Sequence, residues 1–246
     1  MPSDTPQLGF TGAIRDDEFP DGRDLVGGLE EAVAKMDPEL LPKEFQAADF
    51  SPELILDQGQ EPICVGCAGR TMLSIWERMN AGLPNVRANE KTLYAMSRAR
   101  FEKDFKELFA ASGTALPAGG TTPRSLMQVL HKDLGVLERY VRVDPSAEHK
   151  LLIGGLKALL VLRQAVPVVL QNIAWDWDGT LGFAPDGGKL QHAICLVGYS
   201  EMTKTFVFAN SWGRKWGQDG LGFLPYSIVS AATISSGWGL TPTMNI

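Results

Sequence analysis

The chain has 246 residues, 44% of them hydrophobic and 21% charged, with a formal net charge of -6 and a pI near 5.2. That apolar content supplies the core of one large domain or two small lobes. The acidic balance, spread without a long run of one sign, excludes the basic footprint that nucleic acid or an anionic membrane surface demands. The richest apolar run, 151–162, is interrupted by Lys157 and falls short of the roughly 18 to 20 residues of a membrane span. Three cysteines make an odd count with no disulfide framework, which predicts a cytoplasmic or other reducing compartment. Residues 1–30 carry Asp4, Asp16, Asp17, Glu18, Asp21 and Asp24 and lack the basic start and apolar stretch of a secretory signal.

In chain order, Leu25, Val26, Leu29, Val33 and Met36 recur at helical spacing and predict a short amphipathic helix that ends by Asp37-Pro38. Residues 1–40 are expected to form an N-terminal arm or a short pro-segment. An extended stretch from Leu41 to Ile55 follows, and then a turn, Asp57-Gln58-Gly59-Gln60-Glu61-Pro62, leads into Ile63-Cys64. Met72, Leu73, Ile75, Trp76 and Met79 predict a helix from Cys64 to about Met79, with Pro62 suited to its entrance. A second helix is predicted over 89–111 and a third from Thr121-Thr122-Pro123 to near Gly135.

Beyond Gly135 the pattern shifts toward strands. These are expected at 141–143, 167–170, 193–199, 205–210 and 220–224, with a buried helix at 151–163 and an irregular loop at 175–189. The connection 199–204 fits a hairpin, and the final residues, including Trp238, are expected to return to the sheet.

A thiol at a helix N-terminus meets unpaired backbone N–H groups and the positive end of the helix dipole, which favours the nucleophilic thiolate. Cys64 is therefore the candidate nucleophile. Such a nucleophile needs a base, a group to orient that base, and donors for an oxyanion. Of three histidines, His131 and His149 lie among charged neighbours in helical segments and are expected to be solvated. His192 instead opens the apolar run His192-Ala193-Ile194-Cys195-Leu196-Val197-Gly198-Tyr199. Eighteen residues later comes Asn210-Ser211-Trp212-Gly213, whose amide can hold one imidazole nitrogen and free the other for the thiol.

These residues resemble the papain-like cysteine peptidases of the C1 type, and the compact bacterial members more than the lysosomal or plant ones. That family places its His and Asn about 130 to 150 residues after its Cys; His192 and Asn210 follow Cys64 by 128 and 146. The resemblance spans about 41–228 and includes the ending Gly220-Leu221-Gly222-Phe223-Leu224-Pro225-Tyr226. It implies Cys64 as nucleophile, His192 as general base and acid, Asn210 as its orienting partner and Gln58 as side-chain donor of the oxyanion hole. It further implies Trp212 as cover for the His–Asn pair and Gly119 and Gly120, after a one-residue shift, as backbone that holds substrate.

In place of the family's Cys-Gly-Ser-Cys-Trp stands Glu61-Pro62-Ile63-Cys64-Val65, so the usual disulfide there has no partner. Cys67 falls at a core position and Cys195 in mid-strand. The implied architecture is an α+β, papain-like, two-lobed fold: a helical lobe over about 41–135, an antiparallel β-rich lobe over about 136–246, and the site in the cleft between them. The implied activity is a cysteine endopeptidase working through an acyl-enzyme on peptide or protein substrates, with no cofactor and no metal. Two alternatives stand beside it: a papain-fold scaffold with weakened chemistry, and a redox protein using Cys64-Val65-Gly66-Cys67.

Overall fold

A computed structural model of the chain describes residues 13, 40–79, 86–143, 147–163, 165–184 and 191–242. A short strand β1 (Glu44–Gln46) precedes three helices, α1 (Cys64–Met79), α2 (Glu90–Ala111) and α3 (Pro123–Gln128), the last continued by a π-helical turn at Val129–Asp133. There follow β2 (Leu137–Val143), α4 (His149–Arg163), β3 (Val166–Leu170), β4 (Ile173–Trp175), β5 (Leu181–Phe183), β6 (His192–Ser200), β7 (Thr205–Ala209), β8 (Leu221–Pro225) and β9 (Ile234–Pro242). Helices thus dominate the first half and strands the second. The helix starts have local causes: Asn89 accepts from the Thr92 N–H and Thr122 from the Ser125 N–H, with Pro123 in the first turn. The predicted helix over 25–36 lies outside the described residues.

The main sheet is antiparallel, in the order β2-β9-β3-β6-β7-β8. β1 pairs with residues 198–200 of β6, beyond the stretch that pairs with β3. It therefore belongs to the sheet although it precedes the helices. β6 and β7 form the expected hairpin, and β9 carries Trp238 back between β2 and β3. The stretch at 175–184 departs from the expected irregular loop. β4 and β5 pair there, Ile173 opposite Phe183 and Trp175 opposite Leu181, across a turn in which the Asp178 carboxylate accepts from the Thr180 N–H. Three-residue strands are too short to show a period in the sequence.

β6 explains the long apolar run after His192, since it is buried on both faces. Successive side chains of a strand point to opposite faces. Ala193, Cys195 and Val197 belong to the core shared with α1 and α3, and Ile194 and Leu196 to a second core shared with α4, Phe206 and Phe208. The face of α1 turned to the other helices carries glycines one turn apart. A Cβ at Gly66 would lie 2.2 Å from the Glu90 carbonyl oxygen, and one at Gly69 2.6 Å from Leu126 Cδ2. The backbone of α2 thus packs directly on α1 just beyond Cys64.

Overpacking a contact of this kind costs about 1–3 kcal/mol. Gly66→Ala is expected to lower unfolding stability by about 2 kcal/mol in urea titration; a change below about 0.5 kcal/mol would show that the α1–α2 contact yields freely.

Candidate active site

The lead-in to α1 and the loop after β7 are joined by backbone. The Gln58 N–H donates to the Ser211 carbonyl at 2.9 Å and the Gly213 N–H to the Leu56 carbonyl at 3.0 Å, with Asp57 opposite Trp212 between them. Gly213 is required at this closure. Its φ is +76°, and a Cβ there would lie 2.9 Å from the Asp57 carboxylate. Through this strip the segment carrying Gln58 and Cys64 is registered against the segment carrying Asn210, Ser211 and Trp212.

Asn210 Oδ1 is a two-donor hub. It accepts from the Ser211 N–H at 2.7 Å and lies 2.7 Å from His192 Nε2. A backbone N–H can only donate, so the amide oxygen must face it, and the neutral imidazole must then carry its proton on Nε2. Nδ1 is left as the ring's lone-pair nitrogen, and it has no hydrogen-bond partner among the described residues. The Ala193 N–H, on the residue after His192, lies 3.4 Å from Cys64 Sγ. The first residue of α1 is thereby brought to the start of β6.

The Gln58 amide is held at both ends. Its Nε2 donates to the Glu61 carbonyl at 2.8 Å, and its Oε1 accepts from the Ser211 hydroxyl at 2.6 Å. Trp212 stacks on the His192 ring at 4.8 Å and 24°, as its position after Asn210 anticipates. Trp175 approaches the same ring edge-on at 5.3 Å and lies 4.9 Å from Trp212. The imidazole thus sits against two tryptophans.

Cys64 and His192 are both fully buried, and burial sets their protonation. It pushes the Cys64 thiol up to about 12, against the opposing pull of the Ala193, Val65 and Cys64 N–H groups. It lowers His192 to about 4, against the opposing hydrogen bond to Asn210. The helix-terminus advantage expected for the thiolate is therefore opposed by burial, which favours the neutral forms of both groups. Burial also pushes up the Cys67 and Cys195 thiols, and all three cysteines are free.

Other sequence expectations fall differently. The backbone of Gly119 and Gly120 is already engaged: Arg98 donates to both carbonyls, at 3.2 and 2.8 Å, and Tyr94 OH accepts from the Gly120 N–H at 3.2 Å. The neighbouring Thr121 carries the extended edge, in a parallel bridge to Ala13. His131 and His149 are tied down: His131 Nδ1 lies 2.8 Å from the Leu137 carbonyl and His149 Nε2 2.8 Å from that of Tyr226. Sequence reasoning gave no role to Ser211 or Trp175. Ser211 stood within a recognised motif and could have been found there; Trp175 has no signal apart from its type. No group of three or more metal-ligating side chains is found among the described residues.

A model of the papain family of cysteine proteases matches residues 31–229. Papain of Carica papaya is 33% identical over 82 residues, covering 32% of this chain and 21% of that protein. An uncharacterised peptidase C1-like protein of Acanthamoeba polyphaga mimivirus is 47% identical over 45 residues, 18% of this chain and 14% of that protein. The chain thus spans about a fifth or less of the curated relatives it matches. Among solved structures, xylellain, a cysteine protease from Xylella fastidiosa, superposes with a TM-score of 0.71 at 18% identity, covering 96% of this chain and 97% of that one. Procathepsin B of Trypanosoma congolense gives 0.64 at 14% identity, covering 96% and 87%. The fold is therefore papain-like, and by the family match the chain belongs to the papain family of cysteine proteases.

Proposed function

We propose that this chain is a cysteine endopeptidase that cleaves peptide bonds through Cys64, His192 and Asn210. The observation that carries the reading is the Asn210 Oδ1 hub, which leaves Nδ1 of His192 as the open acceptor while the Ala193 N–H lies 3.4 Å from the Cys64 sulfur. In the mechanism, Nδ1 takes the thiol proton and the sulfur attacks the scissile carbonyl carbon, whose π electrons move to oxygen. The oxyanion is met by the Cys64 N–H and by the second Nε2–H of Gln58. The imidazolium then protonates the leaving amine, and a thioester remains. A water deprotonated by Nδ1 attacks it, releasing the acid and restoring the thiol. A reducing compartment is part of the same reading, supported by three free buried thiols.

Cys64→Ala is expected to reduce hydrolysis of a fluorogenic peptide by about 1,000-fold or more, and His192→Ala nearly as much. Cys67→Ala and Cys195→Ala should keep activity within about threefold, and a thiol-directed epoxide should label Cys64 alone. Comparable loss at Cys67 would favour the redox alternative, and equal labelling of all three thiols a scaffold. Ser211→Ala frees one end of the Gln58 amide and is expected to lower kcat about tenfold with KM nearly unchanged; a rise in KM alone would place Ser211 in ground-state binding.

A second reading concerns the N-terminal segment, which we propose restrains the site. Ala13 is 4% exposed, pairs with Thr121, and belongs to the same buried cluster as Cys64. Deleting residues 1–39 is expected to raise kcat/KM about tenfold or more, since competent sites are then no longer a minor population. It should also shift the pH profile of thiol alkylation. The reactive thiolate fraction grows with pH, and admitting water removes the burial that pushes the thiol up to about 12, so the midpoint should move down. Ala13→Asp, which puts a charge into the buried contact, should act in the same direction. Unchanged activity and midpoint in both variants would make the segment a structural arm.

A further inference from the structure

Away from Cys64 and His192, a cavity of about 720 Å³ lies between α4, the turn linking β6 to β7, and the lead-in to β1. Four lysines line it, Lys43, Lys150, Lys157 and Lys204, with two glutamates, Glu44 and Glu201. In a chain of net charge -6 this is a local excess of the opposite sign.

The existing acids do not relieve that excess. Glu201 is shared between Lys157 at 2.7 Å and Lys204 at 2.6 Å and accepts from the Tyr226 hydroxyl at 3.1 Å. Glu44 accepts from the Ser200 hydroxyl at 2.7 Å. Neither Lys43 nor Lys150 has an ion-pair partner among the described residues. Lys150 also stands, with His149, in the first turn of the 15-residue helix α4, which contains no acidic residue. Cations at the positive end of a helix dipole are unfavourably placed, and an anion there relieves both the dipole and the lysine. Glu148, which precedes the helix, does not line the cavity.

The walls are not purely polar. Leu41, Ile153 and Met202 also line the space, and Met202 is 85% exposed. Basic groups interleaved with aliphatic ones suit an extended segment carrying both carboxylates and an aliphatic side chain, where an inorganic anion would leave the apolar wall wet.

We propose that this cavity is a docking site for an acidic peptide segment of a partner or substrate protein, separate from the catalytic residues. Its carboxylates pair with Lys43 and Lys150 at the mouth of α4, and an aliphatic side chain covers Ile153 and Met202. The site acts by raising the local concentration of the bound protein and takes no part in the chemistry.

The test uses the full chain carrying Cys64→Ala, so that bound peptide survives, and fluorescence polarisation of a labelled heptapeptide of Asp and Glu with a central Leu. Binding is expected to weaken tenfold or more with Lys43→Glu/Lys150→Glu, with the isosteric Asn/Gln peptide, and between 50 and 300 mM NaCl. In the otherwise native chain, the same lysine substitutions should leave turnover of a short neutral peptide unchanged. Equal binding by the charge-reversed protein would overturn the proposal. So would displacement of the peptide by low-millimolar inorganic phosphate together with no dependence on the Leu, which would make the cavity a simple anion site.

Discussion

The structure depends on the two-rung backbone strip between 56–58 and 211–213. Cys64 begins a helix in the first half of the chain, and His192 and Asn210 lie on or beside strands of the second. Nothing local fixes the sulfur relative to the imidazole. The Gln58–Ser211 and Gly213–Leu56 hydrogen bonds do so with main-chain groups, whose geometry is stiffer than that of long side chains. The Ser211 hydroxyl, added to the same junction, aligns the Gln58 amide. One short seam therefore registers the proposed nucleophile, oxyanion donor and orienting amide together.

Around that seam, burial acts in two directions. It sharpens the hydrogen bonds that set the His192 tautomer, because a buried amide and imidazole have no water to exchange with. It also penalises the charged forms of Cys64 and His192, pushing the thiol up and the imidazole down. The tryptophans belong to the same balance: Trp212 and Trp175 exclude water from the Asn210 bond and at the same time remove the solvation an imidazolium would enjoy. A site so arranged is well ordered, and its burial disfavours the charged forms of both groups.

The candidate site was legible in the sequence wherever residue type and order suffice. Cys64, His192 and Asn210 could be picked out because a nucleophile, a base and an orienting amide each leave a local mark: a helix entrance, a polar residue opening an apolar strand, and an Asn-Ser-Trp-Gly turn. Gln58 was singled out only through the family resemblance, since a lone glutamine in a turn carries no mark of its own. The surroundings of the glycine pair were not legible. Gly119 and Gly120 have the composition of an open backbone edge, yet Arg98 and Tyr94, about twenty residues earlier on α2, occupy their polar groups and leave the edge at Thr121. His131 and His149 lie in helical segments as expected, His149 exposed and His131 half-buried, while the carbonyls of Leu137 and Tyr226 that they meet across the fold leave no mark among their sequence neighbours.

By itself, then, the sequence determined the order of helices and strands, the central place of β6, and the candidate residues of the proposed site. Periodicity, helix caps and apolar runs are properties of adjacent residues and survive in one dimension. Only the tertiary structure decided which hydrogen-bond acceptors those groups meet, the direction in which burial shifts their protonation, and the pairing of β4 with β5. It also decided the gathering of four lysines around α4. Each of these depends on segments brought together from distant parts of the chain, and burial, dielectric and hydrogen-bond saturation exist only once they meet.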